Sequence, residues 1–179
     1  MIKKILVVSD SHGKTQNIKL SIDRENPDML IHLGDLEDDP EKIRRWLGSR
    51  PAVFVQGNCD RYGEAYGQKQ VAVFELNSHR FFCTHGHRQA VNYGLQNLMY
   101  TALENGCDIA MYGHTHIPYD EICEAGRSMD TSENSEDSAG SVRILNPGSI
   151  SLPRGGSRRS YIVINFEDNN NYSVELKYL

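Results

Sequence analysis

Near its start the chain reads Ile5-Leu6-Val7-Val8-Ser9-Asp10-Ser11-His12-Gly13. An apolar, β-branched run that ends abruptly in polar residues is typical of a buried central strand followed by a loop. We therefore predict a strand over residues 2–9. After the loop, Ile18 and Ile22 lie four residues apart on a polar background, which predicts a helix over residues 15–25 with one buried face.

The strand–helix order is repeated in the residues that follow. Apolar runs at 29–33 and 52–56 predict two more strands. Between them, Pro40 marks the start of a predicted helix over 41–47, and Gly48 marks its end. Strands that alternate with short helices are joined by right-handed crossovers, so this part of the chain predicts an α/β fold with a mainly parallel sheet.

The second half of the chain predicts hairpins and short strands. One helix is expected there, over 91–104, and Gly106 ends it. The strands expected in this half are 71–76, 80–84, 108–112, 117–123, 142–145, 160–166 and 172–178. A Ser/Glu/Asp-rich stretch at about 124–141 is nearly devoid of apolar residues, which predicts a mobile insertion. Without internal repeats or linkers, we expect a single domain over residues 1–179.

The composition excludes several classes of protein. Among 179 residues, 24 are acidic and 19 basic, so the net charge of −5 gives no basic face for a nucleic-acid backbone, and nucleic acid is not an expected partner. The longest apolar stretch near the start ends at Ser9, far short of the ~20 residues of a membrane span. The four cysteines form no C-x-x-C pair, so reduced thiols are expected. We expect a cytoplasmic protein without a membrane partner.

Five predicted strands end in polar residues that are good ligands for divalent cations. In chain order these are Asp10/His12, Asp35, Asn58, His85 and His114/His116. The carboxyl ends of parallel strands lie along one edge of a sheet, so the five clusters are expected to face one cavity. Imidazole, carboxylate and amide oxygen without thiolate suit Mn, Fe, Zn, Ni or Mg. The number of ligands exceeds what one tetrahedral ion needs, which indicates two metal ions ~3.5–4 Å apart.

Each of these residues has a common structural explanation when it is taken alone. Asp10 and Asp35 are of the type that usually caps a helix or a turn, and Gly57-Asn58 is typical of a turn. A single histidine is usually structural or exposed, and this remains our interpretation of His32 and His79. The order D-x-H, G-D, G-N, H-G-H and G-H-x-H, each after an apolar strand, favours a metal site over these explanations.

Together these motifs resemble those of the calcineurin-like metallophosphoesterases. The matching segments are Asp10-Ser11-His12, Gly34-Asp35, Gly57-Asn58-Cys59-Asp60, Thr84-His85-Gly86-His87 and Gly113-His114-Thr115-His116. The G-N-C-D and T-H-G-H variants, the small size and Asn146-Pro147-Gly148-Ser149 resemble the bacterial and archaeal phosphodiesterase branch related to the retromer subunit Vps29. The resemblance implies a four-layer αββα sandwich of two mixed sheets flanked by helices.

The resemblance also implies a role for each matching residue. The implied metal ligands are Asp10, His12 and His116 on one ion, Asn58, His85 and His114 on the other, and Asp35 as the bridge. We expect two divalent ions, with manganese first and nickel, iron, zinc or magnesium as alternatives. The expected catalytic residues are Asp35, Asn58 and His87, and the expected substrate-binding residues are Asn58 and Arg154.

The implied reaction is hydrolysis of small phosphodiesters by a hydroxide that bridges the two metal ions. Many phosphatases of the family carry histidine where Cys59 stands, and there it is thought to protonate the leaving group. Without this histidine, the protein needs either a substrate with a good leaving group or another proton donor, such as His87 or metal-bound water. An orienting role for His87 is equally open. We interpret Cys59 as a small, partly buried turn residue rather than a nucleophile.

Several alternatives remain open from the sequence. Asp60 either holds a metal-binding histidine or is a plain turn residue, and Arg154 either meets substrate phosphate or lies in solvent. The rival functions are a phosphomonoesterase acting on nucleotides or phosphoproteins, and a Vps29-like protein-interaction module without enzyme activity. A complete set of seven ligands argues against such a module. Relatives form dimers or tetramers, so a homo-oligomer is also left open.

Overall fold

The computed structural model describes residues 2–61, 63, 65–126, 140–168 and 171–179. Within them, ten strands form two five-stranded sheets with three α-helices. The first elements are β1 (Lys4–Val8), α1 (Thr15–Glu25), β2 (Met29–His32), α2 (Pro40–Leu47) and β3 (Ala52–Phe54). The others are β4 (Val71–Leu76), β5 (His79–Thr84), α3 (Gln96–Glu104), β6 (Ile109–Met111), β7 (Pro118–Glu124), β8 (Ser141–Pro147), β9 (Ser160–Phe166) and β10 (Tyr172–Tyr178). Across this described part, no helix is long and apolar enough to cross a bilayer.

Each sheet is mixed, with three neighbouring parallel strands and two further strands in antiparallel pairing. The first has the strand order β10-β9-β1-β2-β3, in which β1, β2 and β3 are parallel and β9 pairs antiparallel with β1. The second has the order β4-β5-β6-β8-β7, in which β5, β6 and β8 are parallel. Its edge strands β4 and β7 are antiparallel to their neighbours. Because parallel strands end on the same side, the loops after β1, β2 and β3 lie together, as do those after β5 and β6.

Side chains that alternate along the central strands build the layers of the fold. Val7 of β1 packs in the same apolar cluster as Phe81 of the second sheet, so the two sheets pack face to face. Its neighbour Leu6 points the other way, into a cluster with Ile18 of α1 and Ile43 of α2. The outer face of the second sheet forms a third cluster with α3. The predicted four-layer αββα sandwich is confirmed.

One predicted helix starts later than the sequence suggests. The first helix spans residues 15–25 as predicted. The helix predicted over 91–104 begins five residues later, at Gln96, and ends at Glu104. Ala90 has a φ of 54° and Gly94 a φ of 145°, and neither value occurs in a right-handed helix. The residues before Gln96 therefore form a loop, which lies beside the candidate site.

The stretch expected to be a mobile insertion is bounded by two paired strands. Its ends belong to the sheet, since β7 extends to Glu124, β8 starts at Ser141, and these two residues pair in register. The predicted limits of 124–141 are therefore too wide. Residues 127–139 lie outside the described residues, and the prediction of mobility falls on them.

A partly buried ion pair connects the end of α1 to the edge of the first sheet. Oε2 of Glu25 lies 2.9 Å from Nζ of Lys177 in β10, and Oε1 accepts a 2.8 Å hydrogen bond from the hydroxyl of Tyr161 in β9. Burial raises the pKa of Glu25, but the bonds from Lys177 and Tyr161 outweigh it, and the net pKa is lowered. Such a carboxylate stabilises the fold above its unfolded pKa and loses that contribution as the pH falls through the folded one.

The variant Glu25→Gln is expected to lower the free energy of unfolding by about 1–2 kcal/mol near pH 7, because Lys177 loses its charged partner. The deficit should shrink between about pH 5 and pH 3, where the wild-type carboxyl becomes protonated. Urea denaturation at both ends of this range measures it. Glu104→Gln, an exposed change at the end of α3, is the matched control and should have no measurable effect. A deficit independent of pH contradicts the assigned ion pair.

Candidate metal centre

The polar clusters that follow five strands come together in one place. The Asp10 N–H donates to the Gly34 carbonyl over 3.0 Å, which joins the loops after β1 and β2. The Gly113 N–H donates to the His85 carbonyl over 3.1 Å, which joins the loops after β6 and β5. The two sheets are linked in turn by the His114 N–H, which donates to Oδ2 of Asp10 over 3.1 Å. The carboxyl ends of strands from both sheets therefore surround a common site.

The first group of side chains consists of Asp10, His12 and His116. Nε2 of His116 lies 3.2 Å from Oδ1 of Asp10 and 3.3 Å from Nε2 of His12. Each residue offers one ligand atom, and these atoms lie within 4.8 Å of one another. Asp10 and His116 are buried, so their side chains reach the site from below its surface. Three donor atoms this close can share one ion.

Asp35 lies between this group and a second one. Its Oδ2 is 3.9 Å from Nε2 of His12 and 3.4 Å from Nε2 of His85. The same Nε2 of His85 is 3.1 Å from Oδ1 of Asn58. The ring of His114 completes the second group, with its centroid 5.1 Å from that of His85. The structure thus gathers all seven residues that the sequence analysis named as metal ligands.

Three histidines present a lone pair to this cluster. In His12, His85 and His116, Nδ1 lies within hydrogen-bond distance of an oxygen acceptor, so Nδ1 carries the proton of the neutral ring. The acceptors are Oε2 of Glu37 at 2.6 Å, the Leu33 carbonyl at 2.7 Å and the Leu152 carbonyl at 2.5 Å, respectively. The three Nε2 atoms then carry no proton, and their lone pairs point at oxygen or nitrogen atoms that are also acceptors.

A cluster of lone pairs is unfavourable unless it surrounds a cation. Oδ1 of Asp10 is buried and makes no hydrogen bond with the residues that the structure describes. Burial lowers the pKa of His116, but the neighbouring Asp10 carboxylate outweighs it and the net pKa is raised, so the site favours a positive charge. Imidazole nitrogens, carboxylates and an amide oxygen are suitable ligands for divalent metal ions. The residues present therefore fit a metal.

The backbone of the site has the left-handed conformation, which residues other than glycine rarely adopt. Five of the seven predicted ligands have a positive φ: Asp10 (54°), His12 (45°), Asp35 (54°), His114 (67°) and His116 (62°). Such conformations cost about 1–3 kcal/mol each and are concentrated at functional sites. Two glycines allow the close approach of the loops, since a Cβ at Gly57 would overlap Oδ1 of Asp35 and one at Gly113 would overlap Oγ of Ser9.

Asp60 holds the loops after β2 and β3 together. Its Oδ2 accepts hydrogen bonds from the N–H groups of Asp35 (2.9 Å) and Gly57 (2.8 Å), and its Oδ1 accepts one from the N–H of Glu37 (2.8 Å). The alternative that Asp60 holds a metal-binding histidine is wrong, because its carboxylate is occupied by these amides. In the sequence, this role could have been inferred from the position of Asp60, which follows Gly57 by three residues in the G-N-C-D motif and so can accept a hydrogen bond from its N–H.

Two residues that the sequence analysis missed contact predicted ligands. Glu37 accepts the hydrogen bond from Nδ1 of His12, and Nδ2 of Asn92 donates to Nε2 of His114 over 2.9 Å. Glu37 itself has a positive φ of 52°. Neither residue belongs to a recognisable motif, and both reach the site through tertiary folding, so no local pattern could have identified them.

His32 has the structural role that its place inside a strand suggested. Its Nδ1 accepts a hydrogen bond from the Gly34 N–H over 3.2 Å, and its Nε2 lies 3.0 Å from Oγ of Ser11. Burial lowers the pKa of His32 to about 4, so the ring is neutral at physiological pH. It supports the loops after β1 and β2 from behind the site.

The remaining candidates lie around the rim. His87 is 5.4 Å from His85, centroid to centroid, and its buried Nδ1 has no hydrogen-bond partner in the described chain. Arg154 is exposed, and its backbone N–H donates to the His116 carbonyl over 3.3 Å. The Cys59 N–H donates to Oδ1 of Asp35 over 2.8 Å, while burial and the Asp35 charge raise the pKa of its thiol to about 12. A thiol in this state is a poor nucleophile.

Comparison with known proteins identifies the family. The model of the calcineurin-like phosphoesterase superfamily domain matches residues 4–169. The probable metallophosphoesterase YsnB of Bacillus subtilis is 31% identical over 166 residues, covering 92% of this chain and 85% of YsnB. The phosphodiesterase YfcE of Escherichia coli is 29% identical over 182 residues, covering 88% of this chain and 85% of YfcE.

Solved structures show the same fold. A predicted phosphoesterase from Streptococcus pneumoniae superposes with a TM-score of 0.74 at 30% identity, covering 99% of this chain and 90% of that one. A Vps29 mutant structure from Entamoeba histolytica superposes with a TM-score of 0.68 at 19% identity, covering 98% and 99%, which is a likeness of fold alone. With a match from residue 4 to residue 169, the chain belongs to the calcineurin-like phosphoesterase superfamily.

Proposed function

We propose that this protein is a phosphodiesterase that hydrolyses small phosphodiesters with the help of two divalent metal ions. The observation that carries the proposal is the position of three Nε2 atoms 3.2–3.9 Å from carboxylate oxygens of the buried Asp10 and Asp35, each on a ring whose Nδ1 faces an oxygen acceptor. When bound, two divalent ions lower the pKa of water and neutralise charge on the phosphoryl oxygens. The relatives named above include a phosphodiesterase, which supports the same reaction class.

We assign Asp10, His12 and His116 to one ion, Asn58, His85 and His114 to the other, and Asp35 to both. The hydrogen bond from Asn92 places the proton of the neutral His114 ring on Nδ1, so His114 would bind a metal through Nε2 after exchanging Asn92 for the ion. Manganese is the proposed metal. Nickel, iron, zinc and magnesium are the alternatives, because a set of nitrogen and oxygen ligands accepts several divalent ions.

The other residues of the site have positioning roles in this proposal. The acceptors on Glu37, Leu33 and Leu152 fix the tautomer and orientation of the three histidine rings. The side-chain amide of Asn58 is exposed, so its N–H groups can contact a phosphate oxygen. We assign to His87 either an orienting role or the donation of a proton to the leaving oxygen, and to Arg154 a contact with the substrate at the rim.

The test uses protein stripped with EDTA and then reloaded with Mn²⁺. We expect the stripped protein to be inactive, and the reloaded protein to hydrolyse bis-p-nitrophenyl phosphate faster than p-nitrophenyl phosphate. Both esters release p-nitrophenolate, so the comparison measures the preference for a diester over a monoester and does not depend on protonation of the leaving group. Faster hydrolysis of the monoester supports a phosphomonoesterase instead. If metal binds tightly and neither ester is hydrolysed, the protein is not the proposed enzyme, and an interaction module like Vps29 becomes the better explanation.

A further inference from the structure

Resting on the proposed phosphodiesterase function, we propose that a cavity beside Asn58 binds a second phosphate group, carried by one arm of the substrate. This cavity of about 390 Å³ opens next to the candidate metal centre. Asn58 and His87 line it from that centre, and its lining also includes Arg61, Gln70 and Arg88. The substrate class is thus an asymmetric phosphodiester in which one esterified alcohol carries a further phosphate.

The charge of the cavity supports an anionic occupant. Arg61 and Arg88 form neither an ion pair nor a side-chain hydrogen bond with the residues that the structure describes. Among the described residues of the lining, the carboxylate is that of Asp60, whose oxygens accept three backbone N–H groups and which forms no ion pair with either arginine. Two guanidinium groups that have no partner among the described residues, beside the candidate metal centre, match the planar donor geometry that phosphate oxygens accept.

A second cavity, of about 420 Å³, indicates in which orientation the substrate binds. It shares Asp60 with the first cavity, and its lining adds Glu37, Asp38 and Asp39 together with the exposed side chain of Tyr66. The three additional carboxylates disfavour a phosphate here, whereas an uncharged or aromatic arm suits this lining. Arg61 lines both cavities, so Arg88 is the cation that distinguishes them. The phosphate-bearing arm is therefore expected on the Arg88 side.

A matched pair of chromogenic esters tests the inference. Thymidine 5′-(p-nitrophenyl phosphate) is compared with the same ester carrying a 3′-phosphate, using the Mn²⁺-loaded protein at constant ionic strength. We expect kcat/KM to be roughly tenfold higher for the 3′-phosphorylated ester. This factor is at the low end of the effect of a charge-assisted hydrogen bond, because both arginines are exposed. The preference should fall to about one in an Arg61→Gln/Arg88→Gln double variant and partly in Arg88→Gln.

The control and a binding measurement separate this inference from the function on which it rests. Arg45→Gln removes an exposed arginine on α2 and should keep the preference of the wild type. Calorimetry with thymidine 3′,5′-bisphosphate and thymidine 5′-monophosphate gives the same comparison without turnover, and we expect tighter binding of the bisphosphate to depend on Arg88. Equal affinities in the wild type, or a preference that survives in the double variant, overturn the inference even if bis-p-nitrophenyl phosphate is hydrolysed.

Discussion

Asp35→Asn is expected to reduce kcat/KM for bis-p-nitrophenyl phosphate by about a thousandfold or more, because the two proposed metal ions would lose a shared anionic ligand. Oδ2 of Asp35 lies 3.4 Å from Nε2 of His85 and 3.9 Å from Nε2 of His12, which places it between the two groups of ligands. Asparagine puts either a neutral oxygen or an N–H₂ group there. Metal content after dialysis should fall together with activity.

The substitution tests the bridge rather than the fold. Asp35 has a φ of 54°, a region that asparagine tolerates better than most residues, so the backbone of the loop is expected to keep its course. Thermal unfolding in EDTA checks this point. The matched control is Asp23→Asn, because Asp23 is exposed on α1 and pairs with Lys19 alone among the described residues. Full activity with two bound ions in Asp35→Asn contradicts the bridging assignment.

The strands and the site were predictable from the sequence to the extent that their signals are local. Ile18 and Ile22 give α1 a period that one buried face explains, and the helix has the predicted bounds. The polar residues at strand ends could be grouped because parallel strands bring their carboxyl ends together, whatever the details of the loops. The C-terminal hairpin of β9 and β10 could also be predicted, since the apolar residues of β9 are followed by a polar turn.

The contacts that orient the ligands could not be read in the same way, because they are made between distant parts of the chain. His12 and Glu37 are 25 residues apart, and Asn92 and His114 are 22 apart. The positive φ of Asp35 is equally non-local in origin, since the hydrogen bonds of Asp60 hold that loop. The late start of α3 follows from the positive φ values of Ala90 and Gly94, and the loop before the helix contains Asn92, which contacts His114.

Asp60→Asn is expected to lower the free energy of unfolding of the metal-free protein by about 2–4 kcal/mol. Asp60 is 6% exposed, and its carboxylate accepts three backbone N–H groups. Asparagine has a single acceptor oxygen. Keeping that oxygen toward Asp35 and Gly57 turns the amide N–H₂ group toward the Glu37 N–H, so at least one buried donor loses its acceptor. Urea denaturation in EDTA measures the loss without a contribution from metal binding.

The same variant is expected to lower activity at saturating Mn²⁺ by about 10–100-fold, the range found when a residue that supports a metal ligand is changed. The amide freed by Asp60→Asn is that of Glu37, whose side chain orients His12, so the damage reaches the site through this contact. Asp28→Asn is the matched control: one oxygen of Asp28 accepts the N–H groups of Lys3 and Lys4 at the start of β1, and asparagine can keep both bonds through its single acceptor oxygen. If Asp60→Asn behaves like Asp28→Asn in both measurements, the loops after β2 and β3 are held by their own backbone bonds, and Asp60 has no part in positioning the ligands.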